Sequence, residues 1–206
     1  MKIVSMSCSH LVELNNPIPE GDVFIHAGDF CNTGCMNDVM VFSRFLANLP
    51  HKYKIIVPGN HDRIFEYHLR DVSEMLFENS TNSMALLIDD FININGVIFY
   101  GSPWQLPFNN WAFNLPEDQL KEKFAAIKKN TNVLITHSPP YGILDLHLGS
   151  KELLNKVKEV KPKYHLFGHI HEDGGRTYEN KSTTFANICV LDETYKEKSP
   201  CFVFEI

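Results

Sequence analysis

Five short segments of this chain group residues that could bind a metal ion. In chain order they are Cys8-Ser9-His10, Gly28-Asp29, Gly59-Asn60-His61-Asp62, Thr136-His137 and Gly168-His169-Ile170-His171. Imidazole nitrogen, carboxylate oxygen and thiolate sulfur bind divalent ions of the zinc, iron or manganese type. One Asp among several histidines suits two ions that share a bridging carboxylate, an arrangement that clamps a phosphoryl group.

The segments follow short apolar runs that predict buried strands, because these runs are rich in β-branched and aromatic residues. Strands are predicted over 3–7, 23–27, 54–57, 97–100, 133–136 and 164–167, and helices over 36–48, 117–129 and 151–160, the last with Ser150 as its N-cap. This alternation predicts an α/β layered fold. Further strands over 176–178, 183–190 and 201–204, without helices between them, predict a mixed or antiparallel sheet. Ligands in α/β folds gather at the carboxyl ends of strands, so we expect one distributed site.

Composition narrows the function further. The chain has 206 residues, of which 44% are hydrophobic, and we expect residues 1–206 to form a single domain. The net charge of −6 disfavours an extended nucleic acid as partner but permits a small phosphorylated substrate. The N-terminus lacks a long apolar segment, so the sequence predicts neither a signal peptide nor a membrane span. Five cysteines, an odd number, are expected to be reduced in the cytoplasm. The oligomeric state stays open.

The order of the motifs resembles that of the calcineurin-like metallophosphoesterases, whose pattern is Asp-x-His, Gly-Asp, Gly-Asn-His-Asp/Glu, His and Gly-His-x-His. The resemblance covers essentially the whole chain. It is closest to the metallophosphoesterase-domain-containing branch. The short sequence motifs of that branch are similar to residues 26–30, 101–104, 111–114, 137–140 and 168–172. It implies a four-layer α/β/β/α sandwich of two mixed β-sheets flanked by helices.

The resemblance also implies a ligand set for two metal ions, which could be manganese, iron, zinc or nickel. Cys8, His10, Asp29 and His171 would hold one ion, and Asp29, Asn60, His137 and His169 the second, with Asp29 as the bridge. His61 is similar to the histidine that contacts the phosphate and protonates the leaving oxygen. Asp62 is expected to orient that histidine.

One residue departs from the family pattern, which has Asp where this chain has Cys8. Two interpretations compete. A thiolate can bind zinc or iron, so the site could persist with an altered metal preference. Alternatively the first position is weakened, and the protein is a poor enzyme or a scaffold. We favour the first interpretation because the other motif positions are intact.

The residues after Gly28-Asp29 bear on the substrate. Protein phosphatases of the same superfamily have a second Asp and an Arg there, whereas this chain has Asn32 and Thr33. Without the arginine, the site lacks a bidentate clamp for a phosphomonoester dianion, which favours phosphodiesters. The leading hypothesis is therefore a phosphodiesterase for small diesters such as cyclic nucleotides, in which hydroxide held by the metals attacks phosphorus. The alternative is a catalytically weak scaffold that binds a protein partner, as the phosphoesterase-like subunit of retromer does.

Other residues near the motifs have more than one interpretation. Trp104, Phe108 and Trp111 could form a stacking surface for a nucleobase, but core or lid packing is favoured. Arg63 and Arg176 could contact phosphate or face solvent. Cys31 and Cys35 are assigned to a loop and a helix start rather than to a zinc site, because no second cysteine pair follows.

Overall fold

A computed structural model describes residues 1–78 and 83–206. In chain order the elements are β1 (Lys2–Met6), β2 (Val23–His26), α1 (Met36–Asn48), β3 (Tyr53–Ile56), α2 (Ile64–Tyr67), α3 (Leu69–Glu78), β4 (Ser83–Leu86), β5 (Asp90–Ile94), β6 (Val97–Ser102), α4 (Glu117–Ala125), β7 (Val133–Thr136), α5 (Lys151–Val160), β8 (Tyr164–Phe167), β9 (Thr177–Glu179), β10 (Thr184–Asn187) and β11 (Phe202–Glu205). No helix in these two ranges has both the length and the apolar character needed to cross a membrane.

The strands form two mixed sheets. The first has the order β11-β1-β2-β3-β4, in which β1 to β4 are parallel and β11 runs antiparallel to β1. The second has the order β5-β6-β7-β8-β10-β9, with a parallel centre and an antiparallel strand at each edge. Two parallel-centred sheets therefore present several strand carboxyl ends on the same side of the molecule.

Alternate residues of the central strands enter different cores, because successive side chains of a strand point to opposite faces. Ile25 and Ile135 lie in the core between the sheets. Phe24 belongs to the core under α1 and α3, and Leu134 belongs to the core under α4 and α5. The strands are thus apolar on both faces, and the layer order is helix, sheet, sheet, helix. The predicted four-layer sandwich is confirmed.

The central elements agree with the sequence predictions, and so do the C-terminal strands β9, β10 and β11, but other elements were missed. The six predicted strands and three predicted helices all form, although α4 ends at Ala125 rather than at residue 129. We did not predict α2, α3, β4 or β5. The strand β5 lies at a sheet edge and is largely exposed, so it lacks a continuous apolar run. The third C-terminal strand, β11, pairs with β1 in the other sheet instead of with its predecessors.

The serine at the start of α5 offers a test of how the outer helices are held. Ser150 Oγ accepts the Leu153 N–H at 3.0 Å and donates to Glu117 Oε1 at 3.2 Å. Because Ser150→Ala removes this N-cap, we expect it to lower the free energy of unfolding by about 1 kcal/mol in urea titrations. Ser73→Ala in α3 is the control, because Ser73 is partly exposed and lies inside its helix rather than at the cap, and it should change the free energy of unfolding by less than about 0.5 kcal/mol. Equal stability of the two variants would contradict the capping role.

Candidate metal centre

The five motif segments lie at the carboxyl ends of parallel strands from both sheets. Cys8 and His10 follow β1, Asp29 follows β2, and Asn60 follows β3. From the second sheet, His137 follows β7 directly, and His169 and His171 follow β8. The structure therefore brings together all seven residues that we predicted as metal ligands. They are contributed by five loops, so no single loop could build the site.

The backbone at this site is held in an unusual conformation. Four of the predicted ligands have positive φ angles: Cys8 at 54°, His10 at 45°, Asp29 at 58° and His169 at 69°. Residues other than glycine seldom adopt this left-handed region, which costs about 1–3 kcal/mol at each residue. Such strain persists where the surrounding structure holds the backbone in place, and it is typical of functional sites.

The side chains form two groups that share Asp29. The Cys8 sulfur and ring nitrogens of His10 and His171 lie within 4.8 Å of one another. The same limit holds for Asp29, His137 and His169. Asp29 Oδ2 lies 3.4 Å from His137 Nε2 and 3.8 Å from His10 Nε2. The carboxylate thus faces both groups, as a bridging ligand must.

Three of the histidines are oriented by backbone carbonyls. His10 Nδ1 lies 3.2 Å from the carbonyl oxygen of Cys31, and His137 Nδ1 lies 2.9 Å from that of Ala27. His171 Nδ1 lies 2.9 Å from the Asp192 carbonyl oxygen. A carbonyl only accepts, so each Nδ1 carries the proton and each Nε2 is left as a ligand. His10 Nε2 is buried without a hydrogen-bond partner, which fits a metal ligand.

The Asn60-His61-Asp62 motif contributes three residues with different positions. Asn60 Oδ1 lies 2.9 Å from His137 Nε2, within the second group. The His61 ring stacks on Trp111, with ring centroids 4.0 Å apart, and its Nδ1 donates to the Asn32 carbonyl oxygen at 2.7 Å. His61 Nε2 is therefore available at the site. The His61 ring also lies close enough to His10 and Asp29 for these three side chains to form a third potential metal-binding group.

The hydrogen bonds of Asp62 differ from those expected of a residue that orients His61. No hydrogen bond joins its carboxylate to the His61 ring, whose Nδ1 donates to the Asn32 carbonyl oxygen. The Asp62 carboxylate accepts three backbone N–H groups, from Gly59 at 2.7 Å, Asp29 at 2.8 Å and Cys31 at 2.9 Å. Asp62 is fully buried, and burial together with repulsion from Asp29 raises its pKa to about 7. It joins the loops after β2 and β3 and positions Asp29 rather than His61.

The Cys8 sulfur is surrounded by donors. It accepts the His169 backbone N–H at 3.2 Å and lies 3.1 Å from both Ser7 Oγ and the Cys189 thiol. Burial opposes ionisation, but the Cys189 thiol and the nearby rings of His10 and His171 lower the pKa of Cys8 well below its usual range. Burial and the contact with Cys8 raise the pKa of Cys189. Cys8 is therefore the thiolate of the pair, the form that binds a metal.

Sequence reasoning missed Cys189, which follows β10. The only signal was a cysteine near the end of the predicted strand over 183–190. It also missed Tyr195, whose ring lies 4.8 Å from the His10 ring and 5.5 Å from the His171 ring, centroid to centroid. Nothing in the sequence around Tyr195 resembles a motif.

An open cavity of about 310 Å³ lies over the two ligand groups. Phe108 forms one wall and contacts the His169 ring at a centroid distance of 5.5 Å, while Tyr195 stands beside the first group. Glu172 and Glu193 are exposed at the cavity. No lysine or arginine occurs among the described residues that line it.

The three aromatic residues Trp104, Phe108 and Trp111 do not form one surface. Trp104 packs against Phe113 and donates its indole N–H to Asp89 at 2.7 Å, so it is structural. Trp111 supports His61, and only Phe108 lines the cavity. Packing was the favoured interpretation, and it holds for Trp104 and Trp111. Phe108 is instead available to a ligand.

The remaining candidates lie outside the two ligand groups. The Arg63 guanidinium lies over the Trp111 ring, and Arg176 pairs with Asp173. Cys31 is buried in the loop after β2, and Cys35 is the residue before α1, as predicted for a loop and a helix start.

The protonation of the histidines predicts how metal binding depends on pH. Burial alone lowers their pKa values, but the charge of Asp29 raises that of His137 to about 9, and Cys8 raises that of His171 to about 9. Both rings are therefore protonated at neutral pH in the metal-free protein. The protonated rings of His137 and His171 stabilise the folded, metal-free protein. This contribution is fully present below pH 6.5, and it is lost as the pH rises through about 9 and the rings lose their protons.

A metal ion needs neutral rings, so we expect affinity for manganese to rise across this pH range, with protons released on binding. Calorimetry in buffers of different ionisation enthalpy measures that release, which should diminish towards pH 9. The exposed His68→Gln is the control and should release the same number of protons as the parent protein. Affinity that does not change with pH would contradict the prediction.

Comparison with known proteins agrees with this geometry. A family model described as calcineurin-like phosphoesterase matches residues 7–173. The chain is 38% identical over 215 residues to human metallophosphoesterase domain-containing protein 1, covering 92% of this chain and 66% of that protein. It is 34% identical over 229 residues to a UPF0046 protein of Caenorhabditis elegans, covering 100% of this chain and 81% of that protein. The chain thus spans about two thirds of the human relative.

Two solved structures are more distant. Sulfate thiohydrolase SoxB of Thermus thermophilus, in complex with glycerol, has 16% identity and a TM-score of 0.45, over 81% of this chain and 33% of that one. Vps29 of Entamoeba histolytica, complexed with zinc, has 10% identity and a TM-score of 0.38, over 100% of this chain and 86% of that one. The match of the family model over most of the chain and the identity to the curated relatives are the decisive findings. On these grounds the chain belongs to the calcineurin-like phosphoesterase family.

Proposed function

We propose that this protein is a metal-dependent phosphoesterase that hydrolyses small phosphodiesters such as cyclic nucleotides. The observation that carries the proposal is the pair of ligand groups that share Asp29 beneath an open cavity. Cys8, His10, Asp29 and His171 would hold one ion, and Asp29, Asn60, His137 and His169 the other. Bound ions of this kind activate water as a nucleophile and neutralise charge on the phosphoryl oxygens.

The charges around the cavity support a diester rather than a monoester. The cavity lining has exposed Glu172 and Glu193, and it has no lysine or arginine among its described residues. At the position where a protein phosphatase has its arginine, the loop over 32–34 instead donates backbone N–H groups to Asp38. A monoester dianion would meet little positive charge from side chains here. A diester carries one negative charge and needs less compensation.

The aromatic walls support an organic group on the ester. Phe108 is 49% exposed and Tyr195 is 46% exposed, and both lie at the cavity. An exposed aromatic side chain offers a flat apolar face on which a nucleobase or another ring can stack. These walls are compatible with a cyclic nucleotide and with other small diesters that carry a ring.

His61 is the residue that we place at the leaving oxygen. Its Nδ1 is fixed by the Asn32 carbonyl and its ring is supported by Trp111, so Nε2 is the atom that can move a proton. Its backbone N–H donates to Asp29 Oδ1 at 2.8 Å, which holds the backbone of His61 against the bridging carboxylate. A general acid held in this way contributes a factor of about 10²–10⁴ to the rate.

The first test compares His61→Ala with the parent protein on bis-p-nitrophenyl phosphate, p-nitrophenyl phosphate, and 2′,3′- and 3′,5′-cyclic nucleotides, in manganese, zinc, iron and nickel. We expect the parent to cleave diesters faster than the monoester. His61→Ala should retain its metal, measured by elemental analysis, and lose a factor of about 10² or more in kcat. The exposed His68→Ala is the matched control and should remain active.

The outcomes of this test separate the two candidate functions. Equal rates for His61→Ala and the parent protein would remove His61 from the mechanism. Background rates for the parent protein with all four metals would favour the scaffold that binds a protein partner.

The second test concerns the sulfur ligand. A thiolate prefers zinc or iron, whereas a carboxylate also suits manganese. We expect Cys8→Asp to shift competition between zinc and manganese towards manganese by about tenfold, equivalent to about 1.4 kcal/mol. Manganese-dependent activity should increase. Cys201→Ser is the control, because Cys201 lies outside both ligand groups. An unchanged preference in Cys8→Asp would show that residue 8 does not bind the ion.

A further inference from the structure

Two buried cysteines from different sheets meet below the metal centre. The sulfur atoms of Cys8 and Cys189 are 3.1 Å apart, and neither side chain is exposed to solvent. The contact is built into the backbone, because Ser7 forms a parallel bridge with Cys189. The Ser7 N–H donates to the Ile188 carbonyl oxygen at 2.9 Å, and the Val190 N–H donates to the Ser7 carbonyl oxygen at 3.1 Å.

This separation is close to what a disulfide needs. A disulfide joins sulfur atoms at about 2.05 Å, so an approach of about 1 Å is required, which rotation of the two side chains can supply. The remaining cysteines are Cys31, Cys35 and Cys201. Within the described ranges, neither Cys8 nor Cys189 has a sulfur–sulfur hydrogen bond with any of these three.

We propose that Cys8 and Cys189 are an oxidative modification site, in which a peroxide converts the pair into a disulfide and thereby removes the sulfur ligand from the first metal position. The disulfide follows from the geometry alone. Its consequence for the metal rests on the proposed function.

The reaction balances with a peroxide as the oxidant. The Cys8 sulfur attacks one peroxide oxygen, the O–O bond breaks, and Cys8 becomes a sulfenic acid while one water leaves. The Cys189 sulfur then attacks the Cys8 sulfur, the S–S bond forms, and the S–O bond breaks to release a second water that takes the Cys189 proton. The two thiols lose two electrons, and the peroxide gains them.

The path to the sulfur leads through the metal site. A ring nitrogen of His171 lies within 4.8 Å of the Cys8 sulfur, and His171 also lines the open cavity. An ion bound by Cys8 would withdraw electron density from the sulfur and make it a weaker nucleophile towards the peroxide. The metal-free protein should therefore be modified faster than the loaded protein. Once the disulfide has formed, the thiolate of Cys8 is lost, and His10 and His171 remain as the other members of that group.

The test uses the full chain, reduced and either stripped of metal or loaded with zinc, and treats it with hydrogen peroxide. Cleavage after glutamate gives peptide 1–13, which contains only Cys8, and peptide 180–193, which contains only Cys189. We expect these two peptides to be joined, with a mass lower by two hydrogen atoms than their sum. The joined peptide should form faster in the metal-free sample and should disappear on treatment with dithiothreitol.

Further readouts make the proposal specific. The number of free thiols should fall from five to three, and the oxidised protein should bind one zinc ion fewer per chain. Cys189→Ser should give no joined peptide, and its Cys8 should instead proceed to sulfinic acid, which dithiothreitol does not reverse. Cys35→Ser removes the exposed cysteine and should leave the joined peptide unchanged.

Two outcomes overturn the proposal. One is oxidised, metal-free protein in which peptides 1–13 and 180–193 stay separate and reduced. The other is cross-linking through Cys31, Cys35 or Cys201 in their place. Because the joined peptide is measured without substrate, its formation in a protein that hydrolyses no phosphoester would refute the proposed function and leave the modification site standing. Hydrolysis of phosphoesters by a protein that does not form the joined peptide would refute the modification site and leave the proposed function standing.

Discussion

The site depends on one buried carboxylate that never faces the cavity. Asp62 accepts the backbone N–H groups of Gly59, Asp29 and Cys31, so the loops after β2 and β3 are joined through a single side chain. Each of these donors would otherwise be a buried polar group without a partner, at a cost of about 1–3 kcal/mol. Asp29 can hold its left-handed conformation because this carboxylate fixes its amide. The position of Asp29 then determines how the two ligand groups are spaced.

The close approach of the two loops explains the glycine at Gly59. A Cβ built at this position would lie 2.4 Å from Asp29 Oδ1 and 2.6 Å from His137 Cε1. No side chain fits between the bridging carboxylate and the second ligand group. Gly168 has the same role on the other side, where a Cβ would lie 2.0 Å from Ser7 Oγ and 3.0 Å from the Cys8 sulfur. The glycines of the motifs thus provide space for the ligands of neighbouring motifs.

The sequence predicted the residues of the site better than their local roles. The motif residues could be predicted to share one site because each follows a short apolar run that forms a strand. The parallel strands at the centre of both sheets bring the carboxyl ends of these strands together. The role of Asp62 could not be read, because its partners are backbone groups up to 33 positions away. The same holds for Cys189, which lies 181 positions from Cys8 and meets it only because β1 and β10 belong to facing sheets. Edge strands such as β5 lack the two-sided apolar pattern that identified the central strands.

The two ligand groups differ in chemical softness, so the two metal positions are not chemically equivalent. The first group combines the Cys8 sulfur with the nitrogens of His10 and His171, whereas the second combines Asp29 and Asn60 oxygens with the nitrogens of His137 and His169. Thiolate and imidazole favour zinc or iron, and oxygen ligands admit harder ions such as manganese. The first group would therefore favour a softer ion than the second. An ion held by the Cys8 thiolate would present less positive charge to a phosphoryl oxygen, because sulfur transfers more electron density to a metal than a carboxylate does. The second position would then carry more of the electrostatic stabilisation, close to His137 and Phe108.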